Sequence, residues 1–173
     1  MVKGSEFNDH FSGTNTGNGF FGNGGNDLMY GYGGNDSLFG GDGQDTIYAD
    51  SGNDYIFGND GHDYIGGGHG NDSAFGGNGN DSIHGEDGND MLFGEGDTDY
   101  LFGEAGFDKH VGGSGADFID AHDGVFGNDT VYGNNEDGSG GLPGEWDVAV
   151  IDWWFQNGQV WQDATFGVES VVW

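Results

Sequence analysis

Apolar residues return every nine positions through most of this chain: Met29, Leu38, Ile47, Ile56, Ile65, Ala74, Ile83, Leu92, Leu101 and, beyond an exception at His110, Ile119. Each stands between two outward neighbours, as the alternation of an extended strand requires. The other six residues of each unit are rich in Gly, Asn and Asp, the residues of turns. The pattern predicts three-residue strands joined by six-residue turns. A fixed short period is the mark of a solenoid, in which each unit packs on its neighbours.

An acidic pattern runs in the same register. Two residues before each apolar position stands an aspartate, from Asp27 through Asp36, Asp45, Asp54, Asp63, Asp72, Asp81, Asp90, Asp99 and Asp108 to Asp117. Four residues after each of these anchors comes Gly or Ala, and two before comes Gly, with Asp97 as the exception. The residue just before is usually Asn, as at Asn26, Asn35, Asn53, Asn71, Asn80 and Asn89. The register extends back through Asn18 with Phe20 and Asp9 with Phe11. It extends forward, after three inserted residues, to Asp129 with Val131 and Gly133.

Charge changes the picture. The chain has 31 acidic against 2 basic residues, a formal charge of −29. Such a chain repels nucleic acid and anionic membrane surfaces, and no apolar run is long enough for membrane insertion. Multivalent cations are the natural counter-charge. One apolar side chain per nine residues buries too little surface to offset the ordering of the other eight. Folding is therefore expected to depend on the cation, with disorder in its absence. The chain has no cysteine, so disulfides supply no staple. Carboxylates with converging backbone carbonyls suit calcium, which takes six to eight hard oxygens; magnesium demands a tighter octahedron and keeps its waters.

The unit Gly-Gly-x-Gly-x-Asp-x-apolar-x resembles the RTX (haemolysin-type) calcium-binding repeat. Phe39 to Ile47 (Phe-Gly-Gly-Asp-Gly-Gln-Asp-Thr-Ile) and Phe75 to Ile83 (Phe-Gly-Gly-Asn-Gly-Asn-Asp-Ser-Ile) carry the likeness most clearly, and it covers residues 8 to 133. The resemblance implies an all-β fold, a parallel β-roll with two nonapeptides per turn and calcium between successive turns along both edges. One edge would hold Asp9, Asp27, Asp45, Asp63, Asp81, Asp99 and Asp117. The other would hold Asn18, Asp36, Asp54, Asp72, Asp90 and Asp108. About ten calcium ions are expected in those gaps. The resemblance also implies an extracellular protein, exported unfolded by type I secretion and folded by external calcium.

Eighteen-residue steps would stack Phe21, Phe39, Phe57, Phe75 and Phe93, followed by Val111, on one outward stripe. Such a stripe either stiffens the sheet or docks a protein or carbohydrate. The matching stripe on the other edge is broken: Tyr30, Tyr48, Gly66, His84, Phe102, Asp120. The repeat wears between residues 97 and 111, where Asp97, Ala105, Phe107, Lys109 and His110 depart from it. The scattered histidines read as surface substitutions.

The ends differ from the middle. Residues 1–7 contain Gly4-Ser5-Glu6-Phe7 and read as a leader left by cloning. Residues 8–133 form the roll, and residues 134–144 a glycine-rich linker. Residues 145–173 form a Trp-rich β cap holding Trp146, Trp153, Trp154, Trp161 and Trp173, with a hairpin signal at Asn157-Gly158. That tail could instead bind a partner or sugar, or carry an export signal.

No nucleophile elbow, zinc motif or phosphate loop is present, so no catalytic residue is expected. The readings that compete with a calcium-folded module are an adhesin, carbohydrate-binding or ice-binding surface, and a non-catalytic appendage of a secreted enzyme. An Asn column at Asn35, Asn53, Asn71 and Asn89 favours ice. The varied Gly33, Ser51, His69 and Asp87 beside it do not.

Overall fold

A computed structural model describes residues 1–122 and 129–133, with the backbone of strands Val148–Ile151, Trp153–Gln156, Gln159–Gln162, Ala164–Phe166 and Ser170–Val172. The linker expected at 134–144 lies outside the described residues, as do Trp146, Trp173 and the Trp153, Trp154 and Trp161 side chains. Among the described residues there is no helix.

Successive strands alternate between two nine-stranded parallel sheets. One sheet runs from Val2–Lys3 through Gly19–Gly24, Ser37–Asp42, Tyr55–Asp60, Ser73–Asn78, Met91–Gly96 and Lys109–Ser114 to Thr130–Tyr132 and Ala164–Phe166. The other runs from His10–Thr14 through Leu28–Tyr32, Thr46–Ser51, Tyr64–His69, Ser82–Asp87 and Tyr100–Ala105 to Phe118–Ala121, Val148–Ile151 and Ser170–Val172. Stacked partners in the roll are eighteen residues apart, as in Leu38 on Ile56 and Ile65 on Ile83. This is the parallel β-roll expected from the sequence, with two nonapeptides to each turn.

The strands are longer than the pattern predicts. In the middle of the roll they run six residues rather than three. From Asn23 to Gly113 the position five after each anchor takes a left-handed conformation, with φ of 72° at Asp50, 77° at Asn59 and 73° at Glu86. This bends the chain without ending its pairing, because the next turn bends at the same place: Glu86 still stands opposite Glu104. Identity varies freely there, so no sequence signal marks the bend. At Gly70 (φ 135°) the constraint is tighter, since a Cβ would run into the Gly52 carbonyl oxygen of the turn before.

The core is two columns of single side chains facing each other. Leu38, Ile56, Ala74 and Leu92 come from one sheet, and Met29, Ile47, Ile65, Ile83, Leu101 and Ile119 from the other. All are fully buried. Phe11 and Phe20 stack at 5.2 Å and close the first turn. The residues read as a leader also take part: Val2–Lys3 pairs with Phe20–Phe21, and the Gly4 N–H donates to the Phe21 carbonyl at 2.7 Å.

His110 is not a surface substitution. It continues the column between Leu92 and Val131, is wholly buried, and finds no hydrogen-bond partner for either ring nitrogen. Burial pushes its pKa down to about 4, so the ring is neutral. An unsatisfied buried polar group costs about 1–3 kcal/mol. His110→Leu is expected to raise the stability of the calcium-loaded chain by about that amount, read from denaturant unfolding. An unchanged or lower midpoint would contradict this.

Candidate metal centres

Each anchor aspartate sits where a turn enters a strand, with its carboxyl group directed inward. The residues four after the anchors are Gly or Ala because that carboxyl group fills the space beside them. A Cβ on Gly40 would strike Asp45 Oδ2, and one on Gly58 would strike Asp63 Oδ2. The sequence showed the small residue but not its cause.

The anchors form two columns, and their carboxylates stitch the turns together. Each Oδ1 accepts the backbone N–H of the anchor one turn earlier: Asp45 to Asp63 at 2.7 Å, Asp54 to Asp72 at 2.8 Å, Asp63 to Asp81 at 2.8 Å. The structure thus brings Asp9, Asp27, Asp45, Asp63, Asp81, Asp99 and Asp117 together in one column. Asn18, Asp36, Asp54, Asp72, Asp90 and Asp108 form the other. Asp129 extends that second column across the insertion, taking the Asp108 N–H at 2.8 Å. Its spacing from Asp108 breaks the nine-residue register, which kept it out of the ligand set expected from the sequence.

The residues before the anchors stitch in the opposite direction. Asn53 Oδ1 accepts the Asn71 N–H at 2.9 Å, Asn71 Oδ1 that of Asn89 at 2.8 Å, and Asn89 Oδ1 that of Phe107 at 2.9 Å. The Asn column therefore joins turns, and its side-chain oxygens are committed along the stack.

The second anchor oxygen is the decisive feature. From Asp27 to Asp99 every Oδ2 is buried with no hydrogen-bond partner. The first two anchors differ. Asp9 Oδ2 takes the Ser5 N–H at 2.6 Å and the Ser5 hydroxyl at 2.9 Å, while Asn18 Oδ1 takes the Thr14 N–H at 2.8 Å. Burial drives the carboxylate pKa values upward, against the backbone hydrogen bond that lowers them. Asp45, Asp72, Asp81 and Asp90 reach about 6, Asp54 and Asp63 about 7, and Asp99 about 8. Neighbouring anchors add repulsion, Asp45 and Asp81 acting on Asp63. A positive charge beside such groups would favour their ionised form.

Among the described residues, no three His, Asp or Glu side chains cluster as a metal site. A cation here must take its remaining donors from the backbone. Carbonyls lie beside the bare oxygens: a Cβ on Gly40, Gly58 or Gly76 would meet the carbonyl of Gly58, Gly76 or Gly94 as well as Oδ2 of Asp45, Asp63 or Asp81. One bare carboxylate oxygen per unit with backbone carbonyls is a hard-oxygen donor set, which fits calcium and not a soft or imidazole-seeking metal.

The Phe stripe is folded in on itself. Phe21, Phe39, Phe57, Phe75 and Phe93 stack with centroids 4.6–5.1 Å apart and planes within 7°. Their faces cover one another. The two end faces meet the only basic residues of the chain, Lys3 at 5.7 Å from Phe21 and Lys109 at 5.5 Å from Phe93. On the other sheet the Tyr64 ring bridges Tyr48 at 5.5 Å to His84 at 5.2 Å. That repairs the break read in the sequence.

The chain is similar to the RTX calcium-binding nonapeptide repeat, whose family model matches four times, over residues 3–38, 12–47, 39–74 and 75–109. These matches together span more than half of the 173 residues. No curated protein matches the chain.

The raised pKa values give a pH dependence of opposite sign with and without metal. Protonated anchors favour the metal-free fold, so that stabilisation is complete below about pH 4 and is lost as pH rises through 6 to 8. Calcium needs the ionised form, so its affinity falls as pH drops through the same window. Circular dichroism of chelated protein is expected to show β structure growing on acidification, while a calcium electrode reads release from the loaded protein. Flat responses from pH 8 to 4 would refute the assignment of these carboxylates.

Proposed function

This chain belongs to the RTX calcium-binding nonapeptide repeat family and folds as a β-roll, and from that premise we propose that it is a calcium-triggered folding module of a secreted protein. The observation that carries the reading is the row of bare, buried carboxylate oxygens from Asp27 to Asp99. In their ionised form and unpaired, they oppose the fold. Neutralised by calcium, they hold it. The anchors and the glycine carbonyls beside them would hold the ions, and calcium would supply the charge and the link between turns. Low calcium inside the cell keeps the chain unfolded for type I export, and higher calcium outside folds it. The near absence of basic residues supports this, since the chain has no internal counter-charge.

The role is structural rather than catalytic. The anchors from Asp27 to Asp117 are closed off from solvent, where no substrate reaches them. Their regularity serves stacking. An adhesive or ice-binding role draws less support, because the Asn and Phe columns that suggested it are committed to neighbouring turns.

Chelated protein at neutral pH is expected to give a coil spectrum, and millimolar calcium to convert it cooperatively to β. Asp63→Asn is expected to shift the calcium midpoint upward several-fold, because it removes one ionised donor from the centre of a column. A β spectrum indifferent to chelator would sink the proposal.

A further inference from the structure

His110 puts a nitrogen base into the apolar column. Its ring is wholly buried, and neither Nδ1 nor Nε2 has a hydrogen-bond partner. A buried polar group in that state calls for an explanation, and a bound ion is one. The residue stands two positions after the anchor Asp108. That anchor is itself buried and is fixed by the turn before it, its Oδ1 accepting the Asp90 N–H at 2.8 Å.

The two side chains border one small space beside Gly103. The point that a Gly103 Cβ would occupy lies 2.5 Å from Asp108 Oδ2, 2.6 Å from His110 Nε2 and 2.7 Å from His110 Cε1. The other glycine corners from Gly22 to Gly112 are built differently. There the same point meets a carboxylate oxygen and a backbone carbonyl oxygen. Beside Gly76 these are Asp81 Oδ2 and the Gly94 carbonyl, and beside Gly85 they are Asp90 Oδ2 and the Gly103 carbonyl. Among the described glycine corners, only that of Gly103 sets an imidazole edge against the carboxylate.

Donor type decides the metal. Calcium takes hard oxygens, so an imidazole in the corner is a poor substitute for a carbonyl. Zinc binds imidazole nitrogen and carboxylate oxygen at about 2.0–2.2 Å, and copper and nickel share its liking for imidazole. The ring is neutral, which is the form that ligates metal. A small turn that aims Nε2 rather than the Nε2–Cε1 edge at the space brings both donors onto one ion. We propose that Asp108 Oδ2 and His110 Nε2 together hold one divalent metal of the zinc class, with backbone or water oxygens in its remaining positions. The roll then carries a metal site of a second kind, in the stretch between residues 97 and 111 where the repeat departs from its pattern. The proposal needs the stacked turns but not calcium binding at the other corners.

The test adds zinc to the full chain in excess calcium. Without zinc, His110→Leu is the more stable chain, because the unpaired ring is gone. Zinc is expected to raise the denaturant midpoint of the parent chain and to leave that of His110→Leu in place. Calorimetry is expected to show a zinc site that excess calcium does not empty, with affinity lower by at least about tenfold in His110→Leu. Zinc held by exposed histidines such as His69 is common to both chains and cancels. Nitrogen NMR of the parent chain reads the ring directly, and zinc is expected to shift the His110 Nε2 resonance. If His110→Leu fails to fold, that resonance decides alone. Equal zinc affinity and equal stabilisation in the two chains, or a His110 ring that zinc leaves unmoved, overturns the inference and leaves the calcium module standing.

Discussion

A buried carboxylate with one oxygen engaged and the other bare is the constraint on which this fold depends. The engaged oxygen takes the backbone N–H of the turn before and so sets the rise from turn to turn. The bare one lies against a glycine in a space that any larger residue would occupy. Small residues at one position and positive φ at another follow from the need to bring the same carboxylate to the same place in every unit. The apolar strip has a smaller part. It keeps the two sheets in contact, but it is one side chain wide and leaves the charge unanswered.

Order along the stack comes from columns of like residues. Asn side chains bind upward where Asp side chains bind downward, so each turn is hydrogen-bonded in both directions through its corners. On the outer face the Phe rings lie parallel, and the chain's two lysines close the ends of that column. Nearly all of the negative charge is thereby left for ions rather than for internal salt bridges.

Most of the roll was legible from the chain alone because its contacts are repeats of one local rule. The position of Leu38 implies that of Ile56, and Asp45 implies Asp63. Where the rule admits any residue it left no trace. The left-handed bend holds Asp50, Asn59 and Glu86 without preference, so six-residue strands looked like three. His110 was read with the other histidines as a surface residue, yet its column takes it into the core, between Leu92 and Val131. The broken aromatic stripe was a matter of reach, since the Tyr64 ring, two positions before Gly66, makes contact with both Tyr48 and His84.

The anchors, their spacing and the demand for a hard cation are properties of the sequence, because a fixed period and an uncompensated charge need no coordinates to be read. Which oxygen of each aspartate stays bare was decided by the stacking of turns, since only there does a neighbour's N–H arrive to claim the other. The continuation of both sheets into the tail was likewise decided in three dimensions. Insertions shift the count of residues between turns, whereas the hydrogen bond from Val148 to Asp117 depends only on which backbone lies alongside which.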